Sequence, residues 1–141
     1  MLSGSNSDSR KIRVLLVDDH PIVRHGYRRL LDRTSDVRVE AEAASGEEAY
    51  VKYFETHPDV LIIDLSLPGI SGIEAIRRIR MREPDANILV FSMHDSPVMV
   101  TRALEAGASG YLTKSSAAGE MVDAVREVAQ GRAFLSPGLV Q

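Results

Sequence analysis

The 141-residue chain is 44% hydrophobic and 26% charged, with a formal net charge of -3, the balance of one globular domain. That charge excludes a nucleic-acid surface built by bulk basicity, and the lack of cysteine excludes disulfides, thiolate chemistry and cysteine-ligated zinc. Apolar runs such as Val14–Val17 and Val60–Ile63 are far too short to span a bilayer, so the expectation is a cytoplasmic protein with no membrane partner.

The first ten residues, MLSGSNSDSR, are polar, lack a hydrophobic signal region, and read as a disordered start or a remnant of expression. From residue 11 onward, short β-branched or leucine-rich runs alternate with stretches whose apolar residues fall three and four apart. The runs Ile12–Val17, Val37–Ala43, Val60–Ile63, Ile88–Ser92 and Gly110–Thr113 predict five strands. Helices are predicted near 21–33, 46–56, 72–82, 97–106 and 117–130.

Ser45-Gly46-Glu47-Glu48 and Ser71-Gly72-Ile73-Glu74 have the capping-box form, in which a serine caps and the glutamate three residues on reaches back. Ser96-Pro97 is a cap followed by proline at the first helical position, and Gly107 and Gly131 stand where two helices should stop. On the predicted fourth helix Val98, Met99 and Val100 are consecutive, so at least one of them should be partly exposed.

Strict strand–helix alternation implies parallel strands with helices on both faces. The runs 60–63 and 88–91 are apolar throughout, as strands buried on both faces should be. VRVEAEA at 37–43 instead alternates apolar with charged residues and should lie at a sheet edge. The last ten residues, RAFLSPGLVQ at 132–141, read as a truncated linker.

In a parallel sheet the C-terminal strand ends share one edge. The residues there are Asp18 and Asp19 after the first strand, Asp64 after the third, Ser92 at the end of the fourth and Lys114 after the fifth. Two adjacent like charges are costly without a positive partner. Three carboxylates against one ammonium leave an excess of two that a hard dication, Mg²⁺ or Mn²⁺, would balance through oxygen ligands. His94 overhangs this rim, whereas His25 and His57 read as surface residues and the arginine-rich helix faces as solvated.

The acidic pair Asp18-Asp19, Asp64 followed by Leu67-Pro68-Gly69 and Gly72, Ser92, and GASGYLTK at 107–114 together resemble the receiver domains of two-component response regulators, over about residues 11–131. DDHP at 18–21, Ser92 and REVAQGRAFLSP are most similar to the subfamily whose receivers precede a LuxR-type helix-turn-helix (NarL/FixJ-like). The resemblance implies an α/β, flavodoxin-like (βα)5 doubly wound parallel sheet with strand order 2-1-3-4-5.

It also implies a phosphorylation-activated switch. Asp64 would be the phosphoacceptor for a sensor histidine kinase. Asp19, Asp64 and the Ser66 backbone carbonyl would bind Mg²⁺, with Asp18 acting through water. Lys114 and Ser92 would meet the phosphoryl oxygens, and Ser92 and Tyr111 would form the switch. The output surface would be the fourth helix, fifth strand and fifth helix, a possible homodimer face, and DNA would be reached only through an absent C-terminal domain. Such a protein catalyses its own phosphorylation and dephosphorylation and is otherwise no enzyme.

Two alternatives are a Mg²⁺-dependent aspartyl-phosphate phosphatase or phosphotransferase, and a phosphate-independent interaction receiver. The first expects an acid two residues beyond the nucleophile, where this chain has Ser66. The second is opposed by the intact acid set. A flavodoxin-like nucleotide or flavin binder needs a glycine-rich loop where DDHP places two anions.

Overall fold

A computed structural model describes residues 11–116 and 118–139. The reading of residues 1–10, and residue 117 at the start of the last predicted helix, lie outside the described residues. The elements in chain order are β1 (Ile12–Val17), α1 (Pro21–Asp32), β2 (Val37–Ala43), α2 (Gly46–Thr56), β3 (Val60–Ile63) and α3 (Gly72–Arg82). They continue with β4 (Ile88–Ser92), α4 (Pro97–Ala106), β5 (Gly110–Thr113), α5 (Ala118–Ala129), β6 (Phe134–Leu135) and a 3₁₀ turn at Pro137–Leu139.

All strand pairs are parallel, in the order β2-β1-β3-β4-β5-β6. The expected order 2-1-3-4-5 is therefore present, with β2 at an edge, and β6 extends it beyond β5. Alternate residues of each central strand feed two cores. Leu15, Val17, Leu61 and Ile63 pack with α2, α3 and α4, while Val14, Leu16, Val60 and Ile62 pack with α1 and α5. Both faces are covered, which is why these strands are apolar without interruption.

Strand β2 does not keep the single polar face that its alternation suggests. Val39 is opposite Val14, but Leu15 is opposite Ala41, so Glu40 is an extra residue in a bulge. Val37 and Val39 therefore face the α1/α5 core, whereas Ala41 and Ala43 face the other. The bulge turns Glu42, in register with Leu16, toward α1. Arg24 Nε donates to Glu42 Oε1 at 2.8 Å, and Arg28 pairs with Glu42 Oε2. Burial raises the Glu42 pKa, and the two guanidinium hydrogen bonds outweigh it, leaving the carboxyl below its ordinary value.

The serine caps form as expected. Ser45, Ser71 and Ser96 accept the N–H groups of Glu48, Glu74 and Met99. The reciprocal half of both capping boxes does not form. Glu48 Oε1 accepts from Ala44 N–H, one residue before the cap, and Glu74 is drawn to Arg77 and Arg78 instead. Gly107 and Gly131 end α4 and α5 with φ of 124° and 81°, a region that a side chain disfavours.

Glu42→Gln is expected to cost about 1 kcal/mol at neutral pH, because it strips Arg24 and Arg28 of their shared anion. A carboxyl held below its ordinary pKa stabilises the fold above its unfolded value, and that contribution vanishes as pH falls through the folded one. Urea denaturation of both proteins should therefore show the gap closing below about pH 4. A gap independent of pH would assign the effect to packing.

Candidate functional site

Asp18, Asp64 and Lys114 are the first residues beyond their strands, and the sheet ladder still holds their backbones. Asp18 N–H donates to Ala43 O at 3.1 Å, Asp64 N–H to Val17 O at 3.1 Å, and Lys114 N–H to Ser92 O at 2.8 Å. Each side chain therefore leaves from a fixed backbone.

Lys114 Nζ lies 2.7 Å from Asp18 Oδ2 and 3.0 Å from Asp64 Oδ2, with side-chain exposures of 9% for the lysine and 4% for each aspartate. The Phe91 ring centroid is 5.6 Å from the same ammonium, within cation–π range. The remaining oxygens are also held. Asp18 Oδ1 accepts His20 N–H at 2.9 Å and contacts His20 Nδ1 at 3.1 Å, and Asp64 Oδ1 accepts Ser66 N–H at 3.2 Å.

Burial pushes the Asp18 carboxyl up. The hydrogen bonds from Lys114 and the His20 backbone, with the lysine charge, outweigh this and hold it below the usual range. Burial also lowers the Lys114 pKa, and its bonds to Asp18 and Asp64 outweigh that, so the amine stays charged.

Asp19 is different. Its Oδ1 is buried and receives no hydrogen bond among the described residues. The His20 ring nitrogen lies 3.1 Å away but at the same distance from Asp18 Oδ1, to which it is hydrogen-bonded. A buried anionic oxygen without a donor is costly, and a cation is the species that would satisfy it. One ligand atom each from Asp18, Asp19, His20 and Asp64 lie within 4.8 Å of one another. The donors are mainly carboxylate oxygens, which suits a hard dication.

The structure thus brings Asp18, Asp19, Asp64 and Lys114 together. Asp18 contacts the lysine directly. Ser92 is fully buried, and its Oγ accepts His94 N–H at 3.1 Å. The Tyr111 ring is also fully buried, and its hydroxyl donates to His94 O at 2.6 Å. Ser66 is exposed beside Asp64, its Oγ 3.1 Å from His94 Nε2.

Three contacts around the site were not legible in the sequence. His20 sits inside DDHP, but its role against Asp18 depends on the turn that follows β1. Glu47 Oε2 accepts Ile70 N–H at 3.2 Å and so fastens the loop behind Asp64 to α2. Gly72 lets α3 start against the backbone of Asp64, since a Cβ there would lie 2.4 Å from Asp64 O. The second glycine of LPGISG was the available signal for that close approach.

The family profile described as response regulator receiver domain matches residues 14–126. A LuxR-family two-component response regulator from Aurantimonas sp. SI85-9A1 superposes with TM-score 0.89 at 51% identity, covering 92% of each chain. The signal receiver domain of the putative response regulator NarL from Mycobacterium tuberculosis gives TM-score 0.84 at 38% identity, covering 87% of this chain and 99% of that one. Response regulator GacA of Pseudomonas viridiflava is 42% identical over 130 residues, 92% of this chain and 61% of the relative. UvrY of Escherichia coli K12 is 40% identical over 131 residues, 92% of this chain and 60% of its own. The chain spans about three fifths of these curated relatives.

Removing the ammonium leaves Asp18 and Asp64 facing each other uncompensated. In dication-free buffer, Lys114→Met is expected to lose roughly 3 kcal/mol in urea denaturation, and adding Asp18→Asn should recover part of it. A loss under about 1 kcal/mol would show that solvent screens this pair as it screens surface ones.

Proposed function

Because this chain belongs to the response regulator receiver domain family, we propose that it is a phosphorylation-activated switch whose phosphoacceptor is Asp64 and whose donor is the phosphohistidine of a sensor kinase. The observation that carries this reading is Lys114 bridging Asp18 and Asp64 while Asp19 Oδ1 lies beside them without a donor.

Both Asp64 oxygens are oriented, one by the lysine and one by the Ser66 N–H. The carboxylate is thereby presented in a fixed direction to an incoming phosphorus. A bond from an Asp64 oxygen to phosphorus forms as the phosphorus–nitrogen bond of the donor breaks, and the imidazole leaves with its electron pair. Asp19, Asp64 and the Ser66 carbonyl would hold Mg²⁺, or Mn²⁺, with Asp18 acting through water. That ion supplies charge neutralisation on the transferring oxygens. Lys114 moves from carboxylate to phosphoryl oxygen without crossing solvent. Ser92, at the end of β4, donates its hydroxyl to another.

The switch follows from what Ser92 already holds. Its Oγ accepts from His94, whose carbonyl holds the Tyr111 hydroxyl. Turning Ser92 toward a phosphoryl group disturbs both. The chain turns over no external metabolite in this reading, and Ser66, two residues beyond Asp64, gives a phosphatase no second acid. The acid set is complete, which opposes a phosphate-independent receiver.

The partners are a sensor histidine kinase in the cytoplasm and, through a domain outside this chain, DNA. A homodimer through α4, β5 and α5 is the expected assembly, with Val98 on α4 exposed at 67%. The edge of β5 is occupied by β6, so such a dimer would meet over the helices. RcsB, a structural neighbour at 28% identity and TM-score 0.83, is described as dimers bound to DNA. No described helix is long and apolar enough to cross a membrane.

Incubation with Mg²⁺ and acetyl phosphate, followed by intact mass measurement, should give a single phosphate adduct in the wild type and none in Asp64→Asn. An adduct on both would place the modification elsewhere. Turnover of a generic phosphomonoester would favour the phosphatase reading.

A further inference from the structure

The segment that follows α5 is fastened to the switch side of the molecule at two separate places. The first is β5. Gly110 is opposite Phe134 and Tyr111 opposite Leu135, and Ser136 N–H donates to Tyr111 O at 3.0 Å. The strands approach closely because residue 110 has no side chain: a Cβ there would lie 2.7 Å from Phe134 O. Ser136 is 2% exposed, and its Oγ accepts Thr113 N–H at 3.0 Å and lies 3.1 Å from Ser116 Oγ. The residue before Lys114 is thus held by the same serine whose N–H holds Tyr111.

The second place is the start of α4. Gly138 and Leu139 form one wall of a cleft whose other wall is Asp95, Pro97, Val100 and Thr101, and Leu139 packs against the α2–α4 core. This seat begins one residue after His94, whose N–H is held by Ser92 and whose carbonyl is held by the Tyr111 hydroxyl. Tyr111 therefore connects the loop above Ser92 with Ser136, through its hydroxyl on one side and its carbonyl on the other. The same loop runs directly into the seat of Leu139.

We propose that residues 134–139 are a docked strap whose hold on β5 and α4 weakens when Asp64 carries a phosphoryl group. The strap rests on the receiver reading above. A Ser92 hydroxyl turned toward Asp64 withdraws from His94, the 93–96 loop shifts, and both anchors of the strap lose their geometry together. The local charge change thereby becomes a displacement of the chain that follows α5. Coupling of this kind is reciprocal: if an anion on Asp64 loosens the strap, a strap loosened by mutation must favour that anion, by at most the same factor.

The test uses the full chain with Mg²⁺ and beryllofluoride, a stable phosphoryl mimic, with occupancy read by fluorine NMR and amide exchange read at Thr113 and Ser136. Occupancy should speed exchange at both amides by about tenfold or more. Ser136→Ala, which removes the acceptor of Thr113 N–H, and Leu139→Ala, which empties the α4 seat, should each bind beryllofluoride about fivefold more tightly. Full occupancy with unchanged exchange, or no tightening in either variant, would overturn the strap and leave the receiver reading intact. Failure of beryllofluoride to bind at all would overturn both.

Discussion

The contact between the Lys114 ammonium and the carboxylates of Asp18 and Asp64 is the constraint on which the rest of the molecule depends. These residues come from the ends of β5, β1 and β3, and only a parallel sheet in this order brings them to one rim. Taking the three groups out of water is expensive, and their mutual attraction repays it only when the geometry is held firmly. The ladder bonds that continue past the strand ends supply that hold. One amine cannot serve three acids, and Asp19 Oδ1 is left over. The pocket is therefore arranged for a further positive charge, and the proposed chemistry uses this deficit.

The surroundings of the pocket are stiff on one side and connected on the other. Behind Asp64, Gly72 allows α3 to begin against its backbone and Glu47 fastens the intervening loop. On the β4–β5 side the contacts form a chain, from Ser92 to His94, to Tyr111 and on to Ser136. A rigid floor beside a linked wall is a reasonable construction for a switch, since a change at Asp64 has one direction in which to travel. Tyr111 is already buried here, so the motion available to it is a change of partner for its hydroxyl more than an entry from solvent.

Much of this was legible in the residues, for definite reasons. The central strands are buried on both faces, and continuous apolar runs betray that locally. Serine caps and terminal glycines are equally local, and Ser45, Ser71, Ser96, Gly107 and Gly131 act where expected. The rim residues were identifiable because strand ends in a parallel sheet must share an edge. What escaped depends on partners distant in sequence. The β2 bulge at Glu40 exists only in its pairing with β1, and it sends the two halves of the strand to different cores. Strand β6 is two residues long, and nothing near Phe134 announces it. It forms because β5 has an open edge, Gly110 admits a backbone, and Ser136 can reach Thr113. Glu74 left its capping role because two arginines on α3 compete for it.

In the proposed switch a dication relieves the surplus negative charge of this pocket, and Asp19 is the residue that feels it most. The direct measurement is thermal or urea stability of the wild type and Asp19→Asn, each with EDTA and with saturating Mg²⁺. Without the ion the variant should be the more stable, because it removes one of three crowded negative charges, whose buried Oδ1 receives no hydrogen bond among the described residues. With the ion the order should reverse, the wild type gaining about 2.7 kcal/mol at a hundredfold excess over its dissociation constant while the variant gains little. Equal gains in the two proteins, or none in the wild type, would contradict the account.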